Sequence, residues 1–202
     1  LPLDALLENA AAGRLPDWAQ MSRHRHAHAV RVAGLLGAWA AELRLDEDET
    51  KRWMAAGLLH DVLRDADPDE LRPLVPDTFR HLTGRLLHGP AAAERIRQEG
   101  VADDPLLRAI AYHTIGHPQL DRLGRALFIA DYIEPGRRFD TARLAKLRAR
   151  MPADLDAVLV DVLRARIERL LGEGRGMRTE TAAFWNSVNG PLRAQGDRTA
   201  RT

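Results

Sequence analysis

Apolar residues recur at three- and four-residue intervals along almost the whole chain, and no alternating run bounded by turn residues makes a convincing strand. That periodicity points to an all-α fold. Ala, Leu and Arg dominate, and all three are strong helix formers. Pro and Gly punctuate the chain into predicted helices over residues 3–12, 22–44, 47–63, 68–74, 78–83, 90–99, 104–114, 120–133, 141–149, 153–171 and 179–194. Asp46, with Glu49 three residues on, is a predicted N-cap. Pro90 suits a first helical turn, and Glu134-Pro135-Gly136 stops the helix before it. Gly172 to Gly176 (GEGRG) is the best linker, followed by a docked helix or a mobile lid, and the chain is expected to fray from about Gln195.

With 202 residues and no internal repeat, one domain is expected, because domains run to roughly 150 residues. A content of 45% hydrophobic and 29% charged residues is enough for a sizeable core. The formal net charge of +1 argues against a general polyanion binder, so nucleic acid is not an expected partner, although a local phosphate site remains compatible with it. Cysteine is absent, which removes disulfides, thiolate zinc sites, iron–sulfur clusters and thiol nucleophiles together. Any metal must be held by His and carboxylate. No apolar run approaches the ~18 residues of a membrane span, and the first residues lack the basic and apolar segments of a signal peptide. A soluble cytoplasmic protein is therefore expected, with no membrane partner.

Ionisable residues sit where apolar stripes end. In the 22–44 helix the stripe Val32, Leu35, Leu36, Trp39 and Leu43 continues backwards through His28 and His24, whereas His26 is rotated away. Trp53, Ala56 and Gly57 lead to His60, with Asp61 beside it. His88 follows Leu86 and Leu87, Leu106 and Ile110 lead to His113, and Leu123 and Leu127 lead to Asp131. A single histidine on an apolar face is usually a core imidazole bonded to a carbonyl. Asp131 is less ordinary, because a carboxylate near a helix C-terminus opposes the helix dipole and calls for a cation. Four histidines and two aspartates in a cysteine-free core are explained together by one shared metal centre, since buried charges need partners. His81 and His117 have no stripe behind them and read as surface residues.

The order His, His-Asp, His, His, Asp resembles the HD-domain metal-dependent phosphohydrolases. The strings RHAH at 25–28, AGLLHD at 56–61, LHGP at 87–90, YHTIG at 112–116 and above all ADYIEPGR at 130–137 resemble one branch, the YqeK-type symmetrical bis(5′-nucleosyl)-tetraphosphatases. The resemblance covers roughly residues 22 to 190. It implies an HD-domain helical bundle over 1–202, with a metal-binding core at about 22–140 and additional C-terminal helices at about 141–194. It makes His28, His60, Asp61 and Asp131 ligands of a tightly held divalent metal, often iron. His88 and His113 would line the adjoining position, as ligands of a second metal or as contacts to substrate phosphate. Thr114 and Arg137 would touch nucleotide phosphates. The family's C-terminal Thr–Leu–Glu–Ala–Arg–Asn-like string is matched here by Thr181 and Asn186, with Trp185 in place of the Arg, and Arg64 stands where the family usually has Lys.

The ligand types suit Fe, Mn, Co, Ni or Zn better than Mg. Asp61, with two oxygens, can bridge two metals, and His88 or His113 can orient phosphate or protonate a leaving oxygen; with Asp61 these are the expected catalytic residues. The implied reaction is attack of metal-generated hydroxide on a polyphosphate chain, splitting diadenosine tetraphosphate into two ADP. Two alternatives stay open: a phosphohydrolase of nucleoside mono- or triphosphates, and a metal-stabilised nucleotide-binding module without turnover. The amount of apolar helix is also compatible with a homodimer.

Overall fold

The computed structural model describes the backbone of residues 4–199 and side chains through residue 189; Leu3, at the start of the first predicted helix, and residues 200–202 lie outside. Ten α-helices form: α1 (Ala5–Ala11), α2 (Arg23–Glu42), α3 (Glu47–Leu59), α4 (Pro68–Leu71), α5 (His88–Gln98), α6 (Asp104–Tyr112), α7 (Arg122–Ile133), α8 (Thr141–Arg150), α9 (Leu155–Gly172) and α10 (Thr179–Thr199). No strand occurs among the described residues. Helices α2, α3, α6 and α7 pack around the fully buried Leu36, Leu59, Ile110 and Leu127, and α9 adds Val158, Leu159, Val162 and Leu163 to the same core.

Short polar side chains start the helices. Ser22, Asp46, Asp67, Asp103 and Asp121 each accept a hydrogen bond from a backbone N–H of the following first turn. Asp46 accepts from Glu49 N at 2.8 Å, as the sequence predicts. Four spans differ from expectation. The helix expected over 68–74 is α-helical only to Leu71 and continues as a 3₁₀ turn at Arg72–Leu74. Residues 78–83 form no α-helix; a 3₁₀ turn at Asp77–Phe79 is all that follows Pro73 and Pro76. The helix expected over 47–63 stops at Leu59, where His60 Nδ1 faces the Gly57 carbonyl at 2.8 Å. The chain then tightens into i→i+3 turns, Val62 N to Leu59 O and Arg64 N to Asp61 O. At the other end of the chain α10 continues to Thr199 instead of fraying from Gln195.

Two close approaches fix how the helices meet. A Cβ on Gly57 would stand 2.6 Å from Ala33 Cα and 2.7 Å from Ala33 N, so α3 touches the backbone of α2 one turn before His60. Gly116, at φ +76°, has the left-handed conformation that favours glycine, and the Phe184 ring fills the space a side chain would need. Phe184 also packs edge-on to Phe128 at 5.5 Å, and Thr181 donates its hydroxyl to Ile115 O at 2.7 Å. Helix α10 is thereby fastened to the turn that follows His113.

Gly57→Ala should lower stability by about 1–3 kcal/mol, the usual range for forcing volume into a packed core, as measured by urea unfolding. Gly172→Ala, where a Cβ meets nothing within 4 Å, is the control and should stay within ~0.5 kcal/mol of the parent.

Candidate metal centre

Six side chains from α2, the α3 C-terminus, α5, the α6 C-terminus and α7 reach one point. His28, His60, Asp61, His88 and His113 are buried, and the Asp131 side chain is 14% exposed. His60 Nδ1 faces Gly57 O at 2.8 Å, His88 Nδ1 faces Arg85 O at 2.5 Å and His113 Nδ1 faces Ile110 O at 2.7 Å. Each ring donates to the carbonyl three residues earlier, which fixes its orientation and leaves a lone pair on Nε2. His28 is held differently: its Nδ1 faces Glu134 Oε1 at 3.2 Å.

The free ends form two adjoining clusters that share Asp61. Around Oδ2 stand His28 Nε2 at 3.9 Å and His60 Nε2 at 3.8 Å, and Asp131 Oδ1 lies 3.1 Å from His28 Nε2 and 3.9 Å from His60 Nε2. Around Oδ1 stand His88 Nε2 at 3.0 Å and His113 Nε2 at 3.5 Å, with the two nitrogens 3.0 Å apart. Ligand atoms bound to one ion at about 2.0–2.2 Å stand roughly 3–4 Å from one another. Both clusters have that spacing. The Nε2 atoms of His28 and His60 are buried without a hydrogen-bond partner, the 3.1 Å approach to Asp131 being an ion-pair distance off the hydrogen-bond line. An orphaned buried imidazole nitrogen is costly, and two lone pairs facing each other at 3.0 Å repel. A cation removes both penalties, so the residues fit a divalent metal. His28, His60 and Asp131 stand close enough to hold one ion, and so do His60, Asp61 and His113.

Charge in the cluster is biased towards the ligand forms. Burial pushes the His60 imidazole down to about 4, so it stays neutral near pH 7. Burial opposes charge on Asp61 too, but His60, His113 and His88 override it and hold the carboxyl well below the usual range. Asp131 is held well below its usual range in the same way, against burial, by His28, Arg166 and Arg137. His28 moves in the opposite direction: burial lowers it, but Asp131 and Glu134 flank the ring and leave it above its ordinary value.

Behind the ligands stands a supporting layer that the sequence reading missed. Glu134 accepts from Arg31 Nε at 2.5 Å and from Gly136 N at 2.6 Å while orienting His28, a carboxylate–histidine pair of the kind that steers metal ligands. Arg166 donates to Asp131 Oδ2 at 2.7 Å and to Thr114 O at 3.1 Å, with its guanidinium 4.3 Å over the Phe128 ring. The cations that Asp131 calls for at its helix end are thus Arg166 and Arg137, whose Nη2 lies 2.8 Å from Oδ1. A usable signal existed for Arg166, which follows Val162 by four and Leu163 by three and so continues an apolar stripe as the histidines do.

The centre opens into a cavity of about 670 Å³ between α7, α9 and the α9–α10 connection. Arg64, Arg137, Arg166, Arg169, Arg175 and Arg178 line it, against the carboxylates of Asp131 and Glu173. Of the residues expected to bind substrate, Thr114, Arg137 and Thr181 line this cavity, Thr181 with its hydroxyl committed to Ile115 O. Thr114 Oγ1 lies 3.0 Å from His113 Nε2. Asn186 is exposed and is not among the lining residues. His24, expected on the core face, is exposed in the first turn of α2; His26 and His117, expected at the surface, are half-buried, and the His117 ring lies 4.4 Å from Tyr112.

An all-helical scaffold with paired His/Asp clusters is the HD-domain arrangement, and the HD domain matches residues 25–136. The chain belongs to the HD-domain family, and a divalent metal is part of that assignment. Within it the chain belongs with the symmetrical bis(5′-nucleosyl)-tetraphosphatases. It is 30% identical over 181 residues to the bis(5′-nucleosyl)-tetraphosphatase, symmetrical, of Halalkalibacterium halodurans, covering 83% of this chain and 90% of the relative. It is 29% identical over 175 residues to the protein of the same name from Bacillus subtilis, again covering 83% and 90%. The fold is shared with a crystal structure described as "predicted HD superfamily hydrolase involved in NAD metabolism" from Clostridium acetobutylicum, at TM-score 0.70 and 23% identity over 92% of this chain and 96% of that one. No helix among the described residues is long and apolar enough to cross a membrane.

Two outcomes test the centre. Arg166→Met should lower metal affinity about 10- to 100-fold, the usual effect of losing a residue that steers a ligand, with Arg166→Lys in between; calorimetric titration of the metal-stripped protein reads it. Because His28 sits above its ordinary value, metal uptake near or below that value must displace its proton. Affinity should therefore fall as pH drops from 8 to 6, and titration in buffers of different ionisation enthalpy should show proton release that disappears in His28→Asn.

Proposed function

We propose that the chain hydrolyses dinucleoside tetraphosphates symmetrically, splitting diadenosine tetraphosphate into two ADP. The observation that carries this reading is the pair of clusters sharing Asp61 beside a cavity lined by six arginines. A polyphosphate chain is an extended polyanion, and a row of guanidiniums around a metal-binding cluster is its electrostatic complement. The names of the relatives from H. halodurans and B. subtilis point to the same substrate class.

The residues divide the work. His28, His60, Asp61 and Asp131 hold the metal, which we take to be iron from the resemblance and from the mixed imidazole–carboxylate donor set. A divalent metal so held lowers the pKa of bound water towards neutrality and supplies hydroxide. Asp61 turns one oxygen to each cluster, so it would serve both the metal and an occupant of the His88–His113 position. A second metal or a phosphate oxygen would suit that position, where the two Nε2 atoms could act as ligands or, when protonated, as donors. Thr114 and Arg137 contact phosphate, and the neighbouring arginines offset charge on the transferring phosphoryl oxygens. Arg64, whose Nε lies 3.9 Å from Asp61 Oδ1, brings positive charge to the other rim of the centre. Thr181 acts by pinning the turn after Thr114, and Asn186, exposed here, reaches substrate only if α10 shifts.

The residues 1–202 are read as one working unit, with α9, the connection after it and the start of α10 completing the cavity that α7 and the turn after α6 begin. A cytoplasmic location and a homodimer go with this proposal, the dimer resting on apolar helix content alone; sedimentation tests it.

Chromatographic product analysis with diadenosine tetraphosphate and added divalent iron, manganese or cobalt should show ADP alone, and chelation should abolish turnover. Appearance of ATP with AMP would refute symmetrical cleavage. His113→Ala should lower kcat by about a hundredfold or more, the scale of a lost acid–base or positioning imidazole.

A further inference from the structure

The cavity beside the metal centre is not cationic throughout. Among the described residues five large apolar side chains are exposed: Val30, Leu74, Phe139, Leu171 and Met177. Two of them, Phe139 and Met177, line this one cavity. They come from different segments, Phe139 from the α7–α8 connection and Met177 from the α9–α10 connection, so their meeting there is a product of the fold. Phe139 is 39% exposed and Met177 42% exposed. Phe139 is backed by Tyr132, edge to face, at 5.4 Å and 62°. Tyr132 lines the cavity as well, and the Arg166 guanidinium lies 5.4 Å over its ring. The half-exposed Phe139 ring, backed by Tyr132 and beside Met177, thus offers an apolar surface in the same cavity that six guanidiniums line. Its chemistry suits a flat aromatic ligand attached to an anion.

We propose that Phe139, backed by Tyr132 and joined by Met177, forms the slot that takes a nucleobase, while arginines lining the same cavity take the phosphates. The proposal rests on the nucleotide-hydrolase reading and deepens it by saying which end of the substrate lies where. A base gains by stacking on an aromatic face whatever its hydrogen-bonding edge, and methionine adds a polarisable surface that adapts to a ring. Tyr132 is one residue from the ligand Asp131, and Phe139 is two from Arg137. The stretch that supplies a metal ligand therefore also supplies a phosphate contact and then an aromatic face, in the order metal, phosphate, base. A nucleotide has its parts in that order. Glu173, also in the cavity, is tied to Arg169 at 2.8 Å and Arg175 at 3.3 Å, so the carboxylate near the slot is neutralised by its own neighbours rather than repelling the incoming phosphates.

The test compares two ligands that share phosphates and differ in the base, using the intact metal-loaded protein: ADP and inorganic pyrophosphate, titrated calorimetrically. Phe139→Ala should weaken ADP about tenfold or more, the scale of one lost stacking contact, and leave pyrophosphate affinity within about twofold. Phe139→Trp should restore ADP binding, and Met177→Ala should weaken ADP by a smaller factor. Circular dichroism confirms that each variant is folded. An equal loss for both ligands, or none for ADP, overturns the slot. If the parent cleaves diadenosine tetraphosphate to ADP while Phe139→Ala binds ADP normally, the slot alone falls. If the parent neither binds ADP nor cleaves the tetraphosphate, the hydrolase reading falls and takes the slot with it.

Discussion

Four imidazole Nε2 atoms turned inward around one buried carboxylate, Asp61, are the constraint on which this structure depends. In three of the four rings Nδ1 faces the carbonyl three residues earlier, so those side chains are locked by their own backbone. Locking leaves the Nε2 lone pairs converging on the Asp61 carboxylate from different helices, His60 doing so just past the end of α3 at Leu59. Such an arrangement is unfavourable as it stands and becomes favourable around a cation. The protein core supplies the rigidity that holds the rings there, and the metal supplies the charge that lets them stay.

The surrounding electrostatics are arranged in layers. Asp131 and Asp61 are the anions nearest the centre, and both stay ionised in spite of burial. Outside them lie Arg137 and Arg166 on Asp131, and Arg31 on Glu134. The outer arginines do not merely cancel the inner carboxylates. Arg137 and Arg166 also face the cavity, so the charge that steadies Asp131 is the same charge that a phosphate chain meets on entering. A residue such as Arg137 therefore cannot be classed as structural or functional: it braces Asp131 and borders the substrate space at once.

Much of this was legible in the chain because burial leaves a periodic trace. His28, His60, His113 and Asp131 each complete an apolar stripe, and a polar group in that position has to be satisfied by something. His88 was legible from its neighbours Leu86, Leu87 and Gly89-Pro90. The supporting layer was harder to see. Glu134 read as part of a helix stop, because Glu-Pro-Gly is a strong turn signal and masks any second role for the carboxylate. Arg166 carried the same stripe signal as the histidines, but long arginines are ordinarily solvated at the end of an apolar face. The failed helix at 78–83 shows the limit of local propensity next to two prolines and Gly84. The cavity itself had no local signature, since its walls come from segments some forty residues apart whose meeting is decided by how α9 packs on α7.

Helix α10 is anchored lightly for the position it occupies. Among its described side chains only Thr181 and Phe184 are buried, yet both bear on the Ile115–Gly116 turn that follows His113 and Thr114. Terminal elements open at lower free energy than the core. Release of α10 would therefore free the Ile115–Gly116 turn, and with it the support beside His113 and Thr114, while most of the helix content is still intact.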